Sequence, residues 1–317
     1  WIVMIAASAL MLFSLAFVYS ASSAFSLEKF GSAETLFWNH TLRMLVGVGL
    51  VIFLSRVDYH RWGKASYAFL LLSETALALA LVVGDNIKGA SRWLHFGPIN
   101  FQPSELAKFA LIFYLSWKLS QKDFKSLSFK EGIAPLLGWV VLTCALIALQ
   151  PNMSTAATIF LIALVLMFVG NVNSKHLAIT ALSLGTLGAV YAASASYRMK
   201  RIAAFLGLGE ASDAVNYQIN QARIAFGLGG LFGVGPGQSI QREFYLPESY
   251  GDFIFSVVGE EYGYLLGVVP TLTAFCIIVW RGFIISKKAP DLFGRHLALG
   301  ISFPIGLYAF INAGVNS

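Results

Sequence analysis

Residues 252–283 read D-F-I-F-S-V-V-G-E-E-Y-G-Y-L-L-G-V-V-P-T-L-T-A-F-C-I-I-V-W-R-G-F. The apolar residues run on without alternation, which argues for a helix and against a lipid-crossing strand. A hydrocarbon core needs about 20 helical residues, so this run is long enough to span one. A Pro-containing polar turn, Y-L-P-E-S-Y-G at 245–251, carries Asp252 to the mouth of the run. A carboxylate there loses solvation and can have its pKa moved, and general bases are found in such places. The competing reading is a cap, with Asp252 accepting orphan N–H bonds at the helix start. Glu260 and Glu261 follow inside the run, and no other hydrophobic segment carries two adjacent carboxylates.

The same character extends through the chain. Of its 317 residues, 57% are hydrophobic and 12% charged, and the mean hydropathy is +0.71. Most of the surface therefore cannot face water, and the expected class is an all-α polytopic membrane protein, read as a single transmembrane domain over 1–317. Nine apolar segments are long enough, or nearly so, to cross a membrane: 1–22, 39–55, 65–84, 105–120, 132–149, 155–170, 176–195, 252–283 and 296–313. The first has no basic stretch before it and no clear cleavage site after it, so it reads as a span rather than a signal peptide. The start at Trp1 without Met and the stop at Asn316-Ser317 read as the ends of a fragment. Cys144 and Cys276 each lie in an apolar run, without spacing for a metal or a disulfide.

A net charge of +6 in a soluble domain would suggest nucleic acid. Here the basic residues follow topology, and no nucleic-acid partner is expected. With a cytoplasmic N-terminus, the inside loops hold Arg56, Arg61 and Lys64, then Lys118, Lys122, Lys125 and Lys130, then Lys175, then Arg281, Lys287, Lys288 and Arg295. The short outside loops hold only Lys29, Lys88 and Arg92. That bias fixes the orientation and puts the long connection 195–251 outside.

Four places along the chain invite chemistry. Arg43 lies in the outer turn of the second span, either snorkelling to the interface or facing a polar cavity or a phosphate. Glu74 sits mid-span in the third, where a carboxylate needs a partner or a cavity. The loop 84–104, rich in turn formers and aromatics, leads into Q-P-S-E-L-A-K, where Pro103 or Ser104 opens a helix. Glu105 and Lys108 then stand at i and i+3, an ion pair in one reading, with Lys108 meeting a phosphate or a catalytic carboxylate in the other. In the long connection, Tyr197, Arg198, Lys200, Arg201, Phe205 and Leu206 suit an interfacial amphipathic helix. Arg223 follows, and then G-L-G-G-L-F-G-V-G-P-G-Q-S at 227–239, closing on Gln238 and Ser239. This is no Walker loop; it is either a backbone nest able to approach a pyrophosphate or a flexible re-entrant turn.

Taken together, R-W-L-H-F-G-P-I-N-F-Q-P-S-E-L-A-K (92–108), Q-P-N-M-S-T-A (150–156), the glycine-rich run and Y-L-P-E-S-Y-G-D-F-I-F-S-V-V-G-E-E-Y-G (245–263) resemble the SEDS proteins, the shape, elongation, division and sporulation family that includes FtsW and RodA. The resemblance runs nearly end to end, and G-V-G-P-G-Q-S-I-Q-R with Y-L-P-E leans toward the FtsW-like division branch rather than the RodA-like elongation branch. It implies a ten-helix fold, of which nine spans are present and the tenth is absent, with a large extracytoplasmic loop between spans 7 and 8. It also implies polymerisation of lipid II at the inner membrane, beside a class B penicillin-binding protein and other divisome or elongasome proteins. The family's catalytic aspartate falls on Asp252, its fourth-helix cavity residues on Glu105 and Lys108, and its second-helix arginine on Arg43. Two departures stand out. Asn152 replaces the aspartate of the more usual Q-P-D, and Tyr250-Gly251 replaces H-T before the catalytic aspartate.

Glycosyl transfer between two lipid-linked disaccharides needs a base for the acceptor hydroxyl while an anomeric pyrophosphate leaves. Asp252 suits the first task. The leaving charge would be met by Lys108, Arg43, the basic residues of the 197–242 stretch, Arg223 among them, donors such as Gln238 and Ser239, or a divalent cation, magnesium or manganese. Two other classes remain open on sequence: a lipid II flippase, which paired broken helices in inverted repeats would favour, and a non-catalytic scaffold activating the penicillin-binding protein.

Overall fold

A computed structural model describes residues 1–87, 90–96, 99–121, 129–194, 199, 213–246 and 249–316. It is helical almost throughout: α1 (Ile2–Phe30), α2 (Thr35–Ser55), α3 (Tyr59–Val83), α4 (Pro103–Leu119), α5 (Ala134–Leu149), α6 (Met153–Val169), α7 (Ser174–Ala193), α8 (Asp213–Gly229), α9 (Ile240–Phe244), α10 (Ile254–Gly263), α11 (Val269–Lys288) and α12 (Leu292–Asn316). Each segment expected to span coincides with helix over most of its described length. Among the described residues six stretches are long and apolar enough to cross a membrane: α1, α2, α3, Phe129–Leu149, Ile254–Lys288 and α12. α6 is a shorter apolar helix. The expected interfacial helix around Tyr197–Leu206 lies outside the described residues, apart from Met199, which is exposed.

Two departures from the sequence reading concern backbone. Part of the loop expected at 84–104 is a three-stranded antiparallel meander, β1 (Asp85–Ile87), β2 (Ala90–Phe96) and β3 (Ile99–Phe101). Leu94 pairs with Phe101 and Phe96 with Ile99, and a register shift interrupts the first pair between Asp85 and Asn86. Aromatic and β-branched residues suit paired strands, which is the preference that the turn formers on either side obscured. The run 252–283 is also not one regular helix. It breaks at Gly263, with φ 71°, and continues through a π turn (Tyr264–Val268) into α11.

The contacts group into two compact units: residues 1–56, 193–281 and 305–317 in the first, and 57–192 and 282–304 in the second. In lipid there is little hydrophobic drive between helices, so close approach of small residues and interhelical hydrogen bonds hold such units together. The second unit shows both devices. Gly63 of α3 faces the Trp117 ring of α4 so closely that a Cβ there would lie 2.2 Å from a ring carbon, and Gly300 of α12 stands similarly against Ile112 and Leu166. Around these points Leu70, Leu77, Leu111, Leu115, Ile147 and Leu166 are fully buried. The buried Glu74 carboxylate accepts from the Thr143 hydroxyl at 2.5 Å, and the Gln150 amide donates to the Leu77 carbonyl at 3.0 Å. Thr143 thus partners one Glu74 oxygen, while Oε2 is buried without a hydrogen bond among the described residues. Asn152 is buried beside Gln150, where α6 begins.

At an end of the same unit, Asp58 caps α3 by accepting from the His60 N–H at 3.0 Å. Tyr59 donates its hydroxyl to Asp291, which also accepts from the Gly294 N–H at 2.8 Å. Burial works to raise the Asp291 pKa, but the bonds from Tyr59 and the Gly294 and Phe293 N–H groups, with the nearby His60, together outweigh it and leave it below its usual value of 3.8.

Two outcomes are expected. Gly63→Val should lower the melting temperature in detergent by an amount equivalent to about 1–3 kcal/mol of overpacking, whereas Gly47→Val, where a Cβ meets nothing within 4 Å, should not. Because the Asp291 pKa is depressed on folding, its contribution is complete above the unfolded value of 3.8 and drains away as pH falls through the folded value. Melting curves of Asp291→Asn should therefore lie below wild type at neutral pH and converge with it under acid.

Candidate functional site

The site is built on the turn that precedes α10. Tyr250 stacks on Phe25 of α1, ring centroids 4.3 Å apart. Phe253 is buried in a cluster with Ala21, Ala222, Leu246 and Val257. Asp252 stands between these two anchors, and its side chain is exposed. The expected burial at the mouth of an apolar run is not found, because the turn residues 249–253 lift the carboxylate clear before the helix begins. Nor does Asp252 cap α10: Phe253 holds the cap position, without a side-chain hydrogen bond. What results is an accessible carboxylate on a backbone fixed at both flanks.

Behind it, Glu260 and Glu261 are 0% and 1% exposed. Each has its own set of partners. Glu260 accepts from the Ser239 hydroxyl at 2.5 Å and from the N–H groups of Ile240 and Gln241 at 3.0 and 3.4 Å, completing the start of α9. The Ser20 hydroxyl of α1 lies 2.6 and 2.7 Å from the two Glu261 oxygens. Arg242, its side chain 6% exposed, reaches Glu261 at 3.3 Å, Ser20 through its carbonyl and hydroxyl at 2.8 and 2.9 Å, and Glu243 at 2.6 Å. Sequence reasoning counted Arg242 only among the basic residues of its stretch, as a possible cation for a leaving group. Its charge is matched within the protein.

The glycine-rich run does not present an open nest. The N–H groups of Gly233, Val234 and Gly235 donate to the carbonyls of Gly229, Glu260 and Glu261, and those of Tyr264 and Leu265 return bonds to Gly230 and Leu231. A Cβ at Gly233, whose φ is +82°, would lie 2.2 Å from the Glu261 carbonyl oxygen, and one at Gly263 would lie 2.4 Å from the Gly233 nitrogen. The glycines let two backbones touch each other. This close approach also explains the break at Gly263.

The remaining sequence candidates distribute as follows. In the first unit Arg43 on α2, Arg223 on α8 and Gln238 are exposed, while Ser239 is buried, donating to Glu260 and accepting from the Arg242 N–H at 3.1 Å. In the second unit Lys108 pairs with Glu105 at 2.5 Å, the lysine 5% and the glutamate 48% exposed, as their i, i+3 spacing implies. Among the described residues no group of three or more His, Cys, Asp and Glu side chains is arranged to hold a metal ion. Sequence reasoning missed Ser20 and Asn316. Neither carries a local signal, since their partners lie 241 and 64 positions away.

These features define a helical membrane protein that presents one accessible carboxylate on a pinned turn. The FtsW/RodA/SpoVE cell cycle protein model matches residues 1–317, and the chain belongs to that family. It is 37% identical to a probable peptidoglycan glycosyltransferase FtsW of Geobacter metallireducens, over 99% of this chain and 84% of that protein. It is 36% identical to the stage V sporulation protein E of Bacillus subtilis, over 96% and 84%. Among solved structures it resembles one described as "Structural coordination of polymerization and crosslinking by a peptidoglycan synthase complex", with TM-score 0.74 and 26% identity over 96% of this chain and 86% of that one. The rod shape determining protein RodA of Thermus thermophilus superposes with TM-score 0.64 at 25% identity, covering 96% and 83%.

Breaking the buried pair tests the framework. Glu261→Ala leaves Arg242 short of one carboxylate and Ser20 of its acceptor, and such a change costs about 3–5 kcal/mol when the stranded charge stays buried. Glu261→Gln, which keeps an acceptor for Ser20, should melt between the alanine variant and wild type in thermal scans in detergent.

Proposed function

We propose that this protein is a peptidoglycan glycosyltransferase that polymerises lipid II into glycan strands, with Asp252 as the general base. The observation that carries the proposal is the accessible Asp252 carboxylate held on a fixed turn, in a chain whose family relatives are named peptidoglycan glycosyltransferases. A base must reach the hydroxyl of an incoming sugar, so accessibility serves it better than burial. The carboxylate takes the proton from the acceptor hydroxyl as that oxygen attacks the anomeric carbon of the donor. The C–O bond to the pyrophosphate breaks, and the lipid pyrophosphate departs with its charge.

Cations and N–H donors must meet that charge. Lys108, oriented by Glu105, is assigned to this task with Arg43, Arg223 and Gln238. Ser239, whose hydroxyl already bonds Glu260, supports the site from behind. The setting is the inner membrane, with the N-terminus cytoplasmic, nine spans of a ten-helix fold in this chain, and the 195–251 connection outside. The basic residues of the alternate loops support that orientation. The partner is a class B penicillin-binding protein that crosslinks the product, a pairing supported by the likeness to a synthase complex that joins polymerisation to crosslinking. The relatives' names favour the division branch.

The test is polymerisation of labelled lipid II by the full-length protein with its cognate penicillin-binding protein, read as glycan ladders on a gel. Loss of a general base costs about 10²–10⁴-fold in rate, so Asp252→Asn and Asp252→Ala should nearly silence the reaction while expression and partner binding persist. Equal ladders from wild type and variant would remove Asp252 as the base. No ladders from either would favour the flippase or the scaffold.

A further inference from the structure

Asn316, near the end of α12, is 0% exposed. An asparagine side chain offers two N–H donors and a carbonyl oxygen with two lone pairs, and here all four are used. Nδ2 donates to the Asn312 carbonyl at 2.8 Å and to the Asp252 carbonyl at 2.9 Å. Oδ1 accepts from the N–H and the hydroxyl of Ser256, at 3.2 and 2.8 Å. One buried amide therefore grips the backbone of Asp252 and the first turn of α10 together. The cap position of α10, Phe253, offers no side-chain bond.

The geometry has a specific effect. Tyr250 on Phe25 and the buried Phe253 set where the chain enters and leaves the turn. Fixing the Asp252 carbonyl between them fixes the peptide plane that follows it. The Cα–Cβ bond then has one direction, and the exposed carboxylate keeps only its own side-chain rotations. A buried, saturated amide is also expensive to disturb, because any slip strands a polar group. We propose that Asn316 is a positioning residue for Asp252, aiming its carboxylate at the acceptor hydroxyl. This inference rests on the reading of Asp252 as the base.

The experiment compares wild type, Asp252→Ala, Asn316→Asp, Asn316→Ala and Ser256→Ala, each as the full-length protein with its penicillin-binding protein. Initial rates are measured across a lipid II series, and melting temperatures in parallel. Asn316→Asp is the informative change, since it keeps an acceptor for Ser256 but puts an oxygen where the donor to the Asp252 carbonyl was. Misplacement of a reacting group by about 1 Å costs on the order of 10²-fold, so kcat per folded molecule should fall about 10–100-fold with KM for lipid II unchanged; melting falls too, because the new carboxyl has no N–H for the Asn312 and Asp252 carbonyls. Ser256→Ala strips one bond that orients the amide and strands no charge. It should lower kcat by only a few-fold, again at constant KM, and it keeps the test open if the Asn316 variants fold poorly.

The inference is overturned if Asn316→Asp or Ser256→Ala polymerises at the wild-type rate. It is equally overturned if the loss lies in KM, or merely tracks the loss of folded protein. With Asp252→Ala silent, such a result removes the role of Asn316 and leaves the base in place. An active Asp252→Ala removes the base itself, and the positioning role with it.

Discussion

The ion pair between Arg242 and Glu261 is the constraint from which the first unit follows. A guanidinium and a carboxylate so little exposed in a membrane protein depend on partners for their other donors and acceptors, and here Ser20, Glu243 and the Gly237 carbonyl supply most of them, leaving only the buried Arg242 Nε without a hydrogen bond among the described residues. Those partners come from α1, the short helix α9 and the loop before it. Satisfying the pair thus draws α1 and the 237–243 stretch onto α10. Glu260, one residue away, does the same for the start of α9 through Ser239 and two backbone N–H groups. With both carboxylates turned inward to structural work, Asp252 is left as the carboxylate at the near end of the same helix that faces outward.

The proposed chemistry depends on that division of labour. A base that abstracts a proton from a bulky lipid-linked sugar must be open to it, yet it must not wander. An exposed carboxylate on an ordinary loop meets only the first condition. In this chain the second is met by the backbone around it, through aromatic stacking at Tyr250, burial of Phe253 and the amide of Asn316. Mobility is thereby confined to the side chain proposed as the base.

Much of this was legible in the sequence, for physical reasons that differ from element to element. The long helices could be read because a continuous apolar run has few other homes than lipid, and Pro103 marked the start of α4 as its fixed φ requires. The i, i+3 spacing foretold the Glu105–Lys108 pair. Asp252 stood out because a polar turn abuts an apolar run. What the sequence withheld depends on contacts between residues far apart in the chain. The Ser20–Glu261 bond joins positions 241 apart, and Asn316 looks like any asparagine near a helix end. The glycine-rich run announced that something came close to its backbone, but not that the visitor was the protein itself. The same contact broke the 252–283 run at Gly263, which hydropathy alone could not foresee.

The joint between the glycine-rich run and the end of α10 is made by main-chain atoms, with N–H and carbonyl groups exchanged in both directions. Leu231, Phe232 and Val234, which lie along it, turn their side chains outward and are exposed. A seam of this kind separates two demands that usually compete. Its strength resides in atoms common to every residue, so it does not depend on which oily side chains decorate its outer surface. A lineage can then remodel that surface to suit a different lipid composition while the joint beneath stays as it was. Its inheritance rests on the few glycines that allow the backbones to meet.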